Sequence, residues 1–344
     1  MVTCQMMDNG RGPKEDQGRD TRTASLVQHG RVLRYQDHNR MNSRDLAVGI
    51  FFLSQTALGM LGNLALLCCF VIVDFSGVRV KPTDLIVKHL TWANFIVLFK
   101  GIPQTIAAFS QTYYVDDVSC KLVLYFHRVA RGVSLVSTSL LSVFQAITIS
   151  PSNSMWAQLK IRALDIIGPS LGLCWALQLL VYAFFPVYTT DIKGGRNVTG
   201  IKIFEYCAVV NLQRPINTLT LIVLTSNDVM FLGLMMWASG YMVFILLKHK
   251  QRIQHIHRCL SPRSSPETKA TQGILTLVSS FVLFYVMSIV FTAYLSVLEG
   301  TSKWVSNAGA AMAACFPAFC PFLLLRHYSL IFRLCSPSSY QTTL

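Results

Sequence analysis

Apolar residues along this chain fall into seven long blocks separated by short polar gaps. The blocks lie near residues 46–73, 83–109, 121–149, 163–188, 217–247, 271–298 and 304–325. Each is long enough to cross a hydrocarbon layer of about 30 Å. Lipid offers no hydrogen-bond partner to the backbone, so only helices or closed barrels can span it. The blocks lack the alternation of barrel strands and therefore predict an all-α membrane protein, a bundle of seven transmembrane helices. The third and fifth are long enough to tilt. The fourth and seventh contain Pro169, Pro186, Pro317 and Pro321, which kink transmembrane helices without excluding them. The expected division is a tail over 1–45, a helical domain over 46–325, and a second tail over 326–344. Residues 1–40 show no apolar core of a cleavable leader, so the block from Leu46 is expected to act as an uncleaved anchor.

Composition agrees with this picture. Hydrophobic types make up 52% of the 344 residues and charged types 13%, against about 25% charged in soluble domains. The net charge of +14 is not read as a nucleic-acid footprint, because the basic residues sit in the gaps between blocks with no interleaved aromatic stripe. Their distribution sets orientation instead. The gaps after the first, third and fifth blocks, plus the tail, hold Arg79, Lys81, Lys160, Arg162, Lys248, Lys250, Arg252, Arg258, Arg263, Lys269, Arg326 and Arg333 against Asp74 and Glu267. The opposite gaps hold Lys121, Lys193, Arg196, Lys202, Arg214 and Lys303 against Asp116, Asp117, Asp191, Glu205 and Glu299. The first group should face the cytoplasm, which places the N-terminus outside. The one glycosylation sequon, Asn197-Val198-Thr199, falls on the predicted outer side, where the acceptor must be.

Ten cysteines are present. Cys68, Cys69, Cys174, Cys315 and Cys320 lie inside blocks and read as packed thiols. Cys259 lies in a predicted cytoplasmic gap, where thiols stay reduced, and Cys4 lies in the N-terminal tail. The remaining outer pair, Cys120 and Cys207, would bridge the top of the third helix to the long loop before the fifth. Leu330, Ile331 and Leu334 share a face and suggest an interfacial helix, followed by Cys335, a candidate palmitoylation site. His249, His255, His257 and Cys259 fit no closed metal site, so no metal or cofactor is expected.

Seven helices, an outer N-terminus and that bridge resemble the G-protein-coupled receptor plan. Gly62-Asn63 in the first helix, Trp175 in the fourth and Pro321 in the seventh are shared marks. Others are replaced. The usual acidic-Arg-aromatic triplet reads Phe144-Gln145-Ala146, Asn94 stands where an Asp is usual, and the Asn-Pro pair reads Cys320-Pro321. The ordinary ionic latch and sodium site are therefore not expected. These departures, and a set of strings, resemble the vomeronasal type 1 receptors over about residues 41–335. The strings include Lys81-Pro82-Thr83-Asp84-Leu85-Ile86, Gly101-Ile102-Pro103-Gln104, His127-Arg128-Val129-Ala130-Arg131-Gly132-Val133-Ser134-Leu135, Trp237-Ala238-Ser239-Gly240, Gln254-His255-Ile256-His257 and Cys315-Phe316-Pro317. Met41-Asn42-Ser43-Arg44-Asp45-Leu46 resembles a typical family start. The stretch before it does not, and is read as an extended tail or a gene-model artefact.

The resemblance implies a chemosensory receptor in the plasma membrane. It would bind a small pheromone-like molecule in the outer half of the bundle and activate a Gi/Go-class G protein. Intramembrane charges are costly and usually functional. His127 lies about 10 Å down the third helix from Cys120, at 1.5 Å per residue, and Arg131 follows on the same face. The expected ligand site is His127 and Arg131 with Lys100 and Gln104 from the second helix. The competing reading is a structural polar network that includes Asp228. Gln145, Lys248, Lys250 and Arg252 are the expected G-protein-facing residues. A bitter-taste type receptor is the nearest alternative; the Cys120 and Cys207 pair and the third-helix string argue against it. A transporter would show related halves, and an enzyme a catalytic motif; neither is present.

Overall fold

The computed structural model describes residues 43–76, 81–109, 116–150, 162–187, 189–190, 201–204, 207–210, 214–256, 266–297 and 303–327. Eight helices account for most of them: α1 (Ser43–Phe75), α2 (Pro82–Leu98), α3 (Gly101–Phe109), α4 (Asp117–Ile149), α5 (Ala163–Val181), α6 (Arg214–Ile256), α7 (Pro266–Val297) and α8 (Lys303–His327). Among the described residues, seven spans are long and apolar enough to cross a membrane, with α2 and α3 together forming the second. Cys4 and the rest of the 1–40 tail, Asn197, Cys259, and Cys335 with its interfacial segment lie outside the described residues.

The second block is broken where the sequence reading ran it through. A turn at Phe99 and Lys100 separates α2 from α3. The cause is Pro103, four residues past Phe99, which has no N–H for the Phe99 carbonyl and whose ring crowds it. That carbonyl accepts instead from the Ile102 N–H at 3.1 Å. The segment between α5 and α6 also departs from the expected loop. It carries β1 (Thr189–Thr190), β2 (Ile201–Phe204) and β3 (Cys207–Val210), in the order β1-β3-β2. Both pairings are antiparallel, with Phe204 opposite Cys207 closing a hairpin. The β-branched run Ile201, Ile203, Val209 and Val210 favours strands over coil.

The helix α4 is the axis of the bundle. In its most apolar stretch 61% of residues are buried, against 17% in that of α6, and it packs against α2, α5, α6 and α7. The main core joins Leu66, Ile86, Leu90, Leu135, Leu141, Leu171, Met235, Leu277, Phe281 and Phe316 across these elements and α1 and α8. Asp116 caps α4, its side chain accepting from the Ser119 N–H at 3.1 Å. Those Ser119 hydrogen bonds hold the Asp116 carboxyl below the usual range. A lowered pKa means the cap contributes fully above the ordinary carboxylate pKa and is lost only as pH falls through the folded value.

Between α1 and α8 the backbones come unusually close. A Cβ on Gly59 would stand 2.9 Å from the Ala318 Cα, and one on Gly62 would stand 2.9 Å from the Pro321 Cγ. Small residues permit such approaches in lipid, where packing drives association. The contact repairs a defect. Pro321 cannot donate to the Pro317 carbonyl one turn earlier, and the buried Asn63 amide donates to that oxygen at 2.9 Å and to the Gly59 carbonyl at 2.8 Å. Asn63→Leu therefore leaves the Pro317 oxygen unpaired in an apolar setting. The expected cost is about 1–3 kcal/mol, read as a lower melting temperature of the purified protein; an unchanged value would remove this assignment.

Candidate functional site

One end of the bundle is closed by a covalent tether. Cys120 on the first turn of α4 is disulfide-bonded to Cys207 at the start of β3. Both are fully buried, packed with Leu124 and the partly buried Phe185. Below this tether α4 carries its charged residues, and their surroundings come from four other elements.

His127 is buried, and its Nδ1 stands 3.3 Å from the Val97 carbonyl of α2. A carbonyl can only accept, so this contact assigns the proton to Nδ1. Lys100, Arg131 and Arg128 all act electrostatically on this imidazole. Three of the four sequence-predicted ligand residues thus share one neighbourhood. The fourth, Gln104, is buried on α3, one turn past Lys100.

Arg131 lies with its guanidinium carbon 4.5 Å from the Tyr285 ring centre on α7, and Arg128 lies 5.0 Å from that of Phe185. Such cation–π contacts, when desolvated, contribute about 2 kcal/mol each. Asp228 on α6 acts on Arg128, Tyr182 and Tyr285. The buried Tyr285 hydroxyl makes no hydrogen bond among the described residues. Contacts in the polar cluster therefore join α4 to α2 through His127 and to α7 through Arg131, while Asp228 of α6 acts on it at longer range. The cluster contains elements of both readings, a charged site and an Asp228 network.

A cavity of about 30 Å³ opens beside Arg131, lined also by Ser134, Tyr285, Ser288, Phe281, Phe316 and Pro317. His127, Lys100 and Gln104 do not line it. Its volume suits one or two waters, far from the roughly 300 Å³ or more of a small-molecule pocket. A ligand of that size requires the bundle to part along α4, α7 and α8. Beneath the cavity Ser134 donates to the Asn94 carbonyl oxygen at 2.8 Å, and Asn94 faces the Cys320 thiol. Hydroxyl, amide and thiol are neutral groups, where the general receptor plan has charge. Among the described residues no group of His, Cys, Asp or Glu is placed to hold a metal ion.

At the opposite end, Gln145 is 6% exposed. Its neighbour Ala146 packs on Ala238 and Met242 of α6, and Ser150 meets the Tyr241 hydroxyl at 3.2 Å. Lys248 is exposed near the end of its span. Lys250 and Arg252 continue the α6 helix, with the Arg252 and Lys250 side chains outside the described residues.

Sequence reasoning passed over Arg128 and Tyr285. Arg128 had a usable signal, a charge within an apolar block one residue from His127. Tyr285 had none, because its role depends on how α7 meets α4.

The comparisons agree with this architecture. Residues 46–337 match the family described as the vomeronasal organ pheromone receptor family. The chain is 46% identical over 297 residues to vomeronasal type-1 receptor 4 of Pongo pygmaeus, covering 86% of this chain and 98% of the relative. It is 43% identical over 286 residues to vomeronasal type-1 receptor 2 of Homo sapiens, covering 83% and 72%. A more distant match, at 27% over 279 residues, is olfactory receptor class A-like protein 1 of Danio rerio, covering 80% and 88%. A seven-span bundle tethered at Cys120–Cys207, with the family match across nearly all of it, establishes that this chain belongs to the vomeronasal organ pheromone receptor family, multi-pass membrane proteins of the G-protein-coupled type.

Proposed function

We propose that the chain is a plasma-membrane chemosensory receptor. It takes a small pheromone-like molecule between α2, α4 and α7 below the disulfide and activates a Gi/Go-class G protein at the opposite end. The observation that carries this reading is the charged cluster on α4. His127, Arg128, Arg131 and Lys100 gather on one side of the bundle interior, and Arg131 opens on a cavity. Burying such groups is costly unless they do something. In this reading His127 and Arg131 contact the ligand, with Lys100 and Gln104 beside them. The N-terminus and Asn197 face outward. Gln145, Lys248, Lys250 and Arg252 face the G protein, and loop charge supports that orientation.

The small cavity supports a population-shift mechanism. A ligand acts only through its differential affinity for two arrangements, and here the ligand-competent arrangement is the more open one. Gln145, buried between α4 and its neighbours, becomes accessible in the same movement.

Expression in cells with a G-protein readout tests the proposal. A screen of volatile and steroid-like compounds should yield a response that pertussis toxin abolishes. A ligand-evoked membrane current that persists without any G protein would contradict it.

A further inference from the structure

Four helices wall the cavity beside Arg131: α2 through Val97, α4 through Arg131 and Ser134, α7 through Tyr285, and α8 through Phe316 among others. The guanidinium of Arg131 can donate hydrogen bonds but cannot accept them. Among the described residues it forms no hydrogen bond and no ion pair. Its contact is the Tyr285 ring, whose centre lies 4.5 Å from the guanidinium carbon. The hydroxyl of that tyrosine is buried and has no hydrogen-bond partner among the described residues. Ser134 gives its proton to the Asn94 carbonyl oxygen at 2.8 Å, and the buried Asn94 amide nitrogen behind it has no acceptor among the described residues. No carboxylate lines the cavity among the described residues. Donors therefore outnumber acceptors around this space, and one of them carries a full positive charge. A buried charge without a counter-charge is costly.

We infer that this cavity is a site for a single halide-sized anion, chloride being the abundant one, held by the Arg131 guanidinium and the Tyr285 hydroxyl between α4 and α7. An anion accepts from every unmatched donor and neutralises the guanidinium, and hydrogen bonds to an ionised partner are the strong ones. A water in the same place would bring two further protons and no charge. The volume of about 30 Å³ admits a monatomic ion and excludes a carboxylate with a hydrocarbon body. The remaining wall includes Phe281, Phe284 and Phe316, and aromatic rings present a positive edge to an anion. The two donors stand on different helices, so the anion binds the closed arrangement and holds it. Anion binding stands on the cavity itself and goes beyond the receptor reading. Where a ligand parts α4, α7 and α8 to enter, the two oppose each other, and the opposition is reciprocal.

The test melts the purified full-length receptor in detergent, with no ligand, in sodium chloride, bromide or gluconate at about 150 mM, the physiological ionic strength. Chloride and bromide should raise the melting temperature by about 2–4 °C over gluconate, whose polyol body does not fit. Salts also change stability through bulk solvent, so the variants decide. Arg131→Gln should abolish the difference between halide and gluconate. Arg128→Gln, which lies outside the cavity wall, should keep it. Tyr285→Phe retains the ring beside the guanidinium and removes only the hydroxyl, and should cut the difference by about half or more. Where Arg131→Gln yields no folded protein, Tyr285→Phe carries the test. Equal melting of the wild type in halide and gluconate overturns the anion site. So does a halide effect of the same size in Arg131→Gln or, in its place, in Tyr285→Phe; the cavity then holds water and the salt acts in bulk. Agonist recognition is read separately, from signalling in cells, so either reading can fail and leave the other standing.

Discussion

Replacing Cys207 with serine should abolish normal surface display, or leave a displayed receptor that no ligand activates. The bridge joins residues 87 apart in sequence. A chain-entropy estimate for a loop of that length is about 4.5 kcal/mol, comparable with the whole stability of many domains. The membrane already restrains the unfolded chain between the two cysteines, so the realised loss should fall toward the lower part of the usual range of about 2–5 kcal/mol. More is lost than a tether. Phe185 packs on the disulfide and also lies over Arg128, so freeing β3 loosens the wall of the charged cluster. Two comparisons separate these effects. Cys120→Ser should match Cys207→Ser, because each removes the same bond. Phe185→Ala should leave display intact and reduce only ligand response. Normal display and full response in both cysteine variants would show that the bridge is dispensable.

The second large effect is expected at Gly59. A Cβ there would stand 2.8 Å from a Leu98 methyl and 2.9 Å from the Ala318 Cα. The leucine can turn away, but the helix backbone of α8 cannot. Overpacking of this kind costs about 1–3 kcal/mol for a single methyl. Valine adds two more carbons and should exceed that range. Separation of α1 from α8 also draws the Asn63 amide away from the Pro317 carbonyl, so the two losses are coupled. Gly59→Ala should lower the melting temperature of the purified receptor, and Gly59→Val should prevent surface display. Gly172, whose Cβ would meet nothing within 4 Å, serves as the control: Gly172→Ala should be neutral. Equal tolerance of alanine at both positions would show that the close approach carries no weight.

How much of this was legible beforehand follows from which forces were local. The seven spans were readable because lipid forces each apolar block into a self-satisfied helix, and that constraint acts within the block. The break at Phe99 was equally local, since Pro103 marks it, yet block-level hydropathy runs straight over it. The sheet at β1–β3 was missed because its residues look like any polar-flanked loop until Cys207 is anchored to α4. The charged cluster on α4 was half legible. Charge in an apolar block pointed to His127 and Arg131, and the same argument pointed to Asp228 as a network partner. Arg128 carried the same signal and was passed over. What no local argument could supply is the convergence of residues from different helices: Tyr285 beneath Arg131, Phe185 beneath Arg128, and Asn94 between Ser134 and Cys320. Those pairings depend on helix rotation and depth, which packing sets and sequence spacing does not. The neutral Asn94, Ser134 and Cys320 set does show that the substituted motif positions belong together, since Ser134 donates to the Asn94 carbonyl oxygen and the Cys320 thiol lies beside Asn94.

In the proposed mechanism, ligand recognition occurs on α4 below the disulfide. Its most direct test is the concentration–response curve of an agonist found by screening, taken on wild-type, His127→Ala and Arg131→Ala receptors at equal surface display. Loss of a buried charged contact predicts a weaker half-maximal response for Arg131→Ala, on the order of 10- to 100-fold, with a smaller shift for His127→Ala. Curves that superimpose on wild type for both variants would show that the α4 cluster only holds the bundle together.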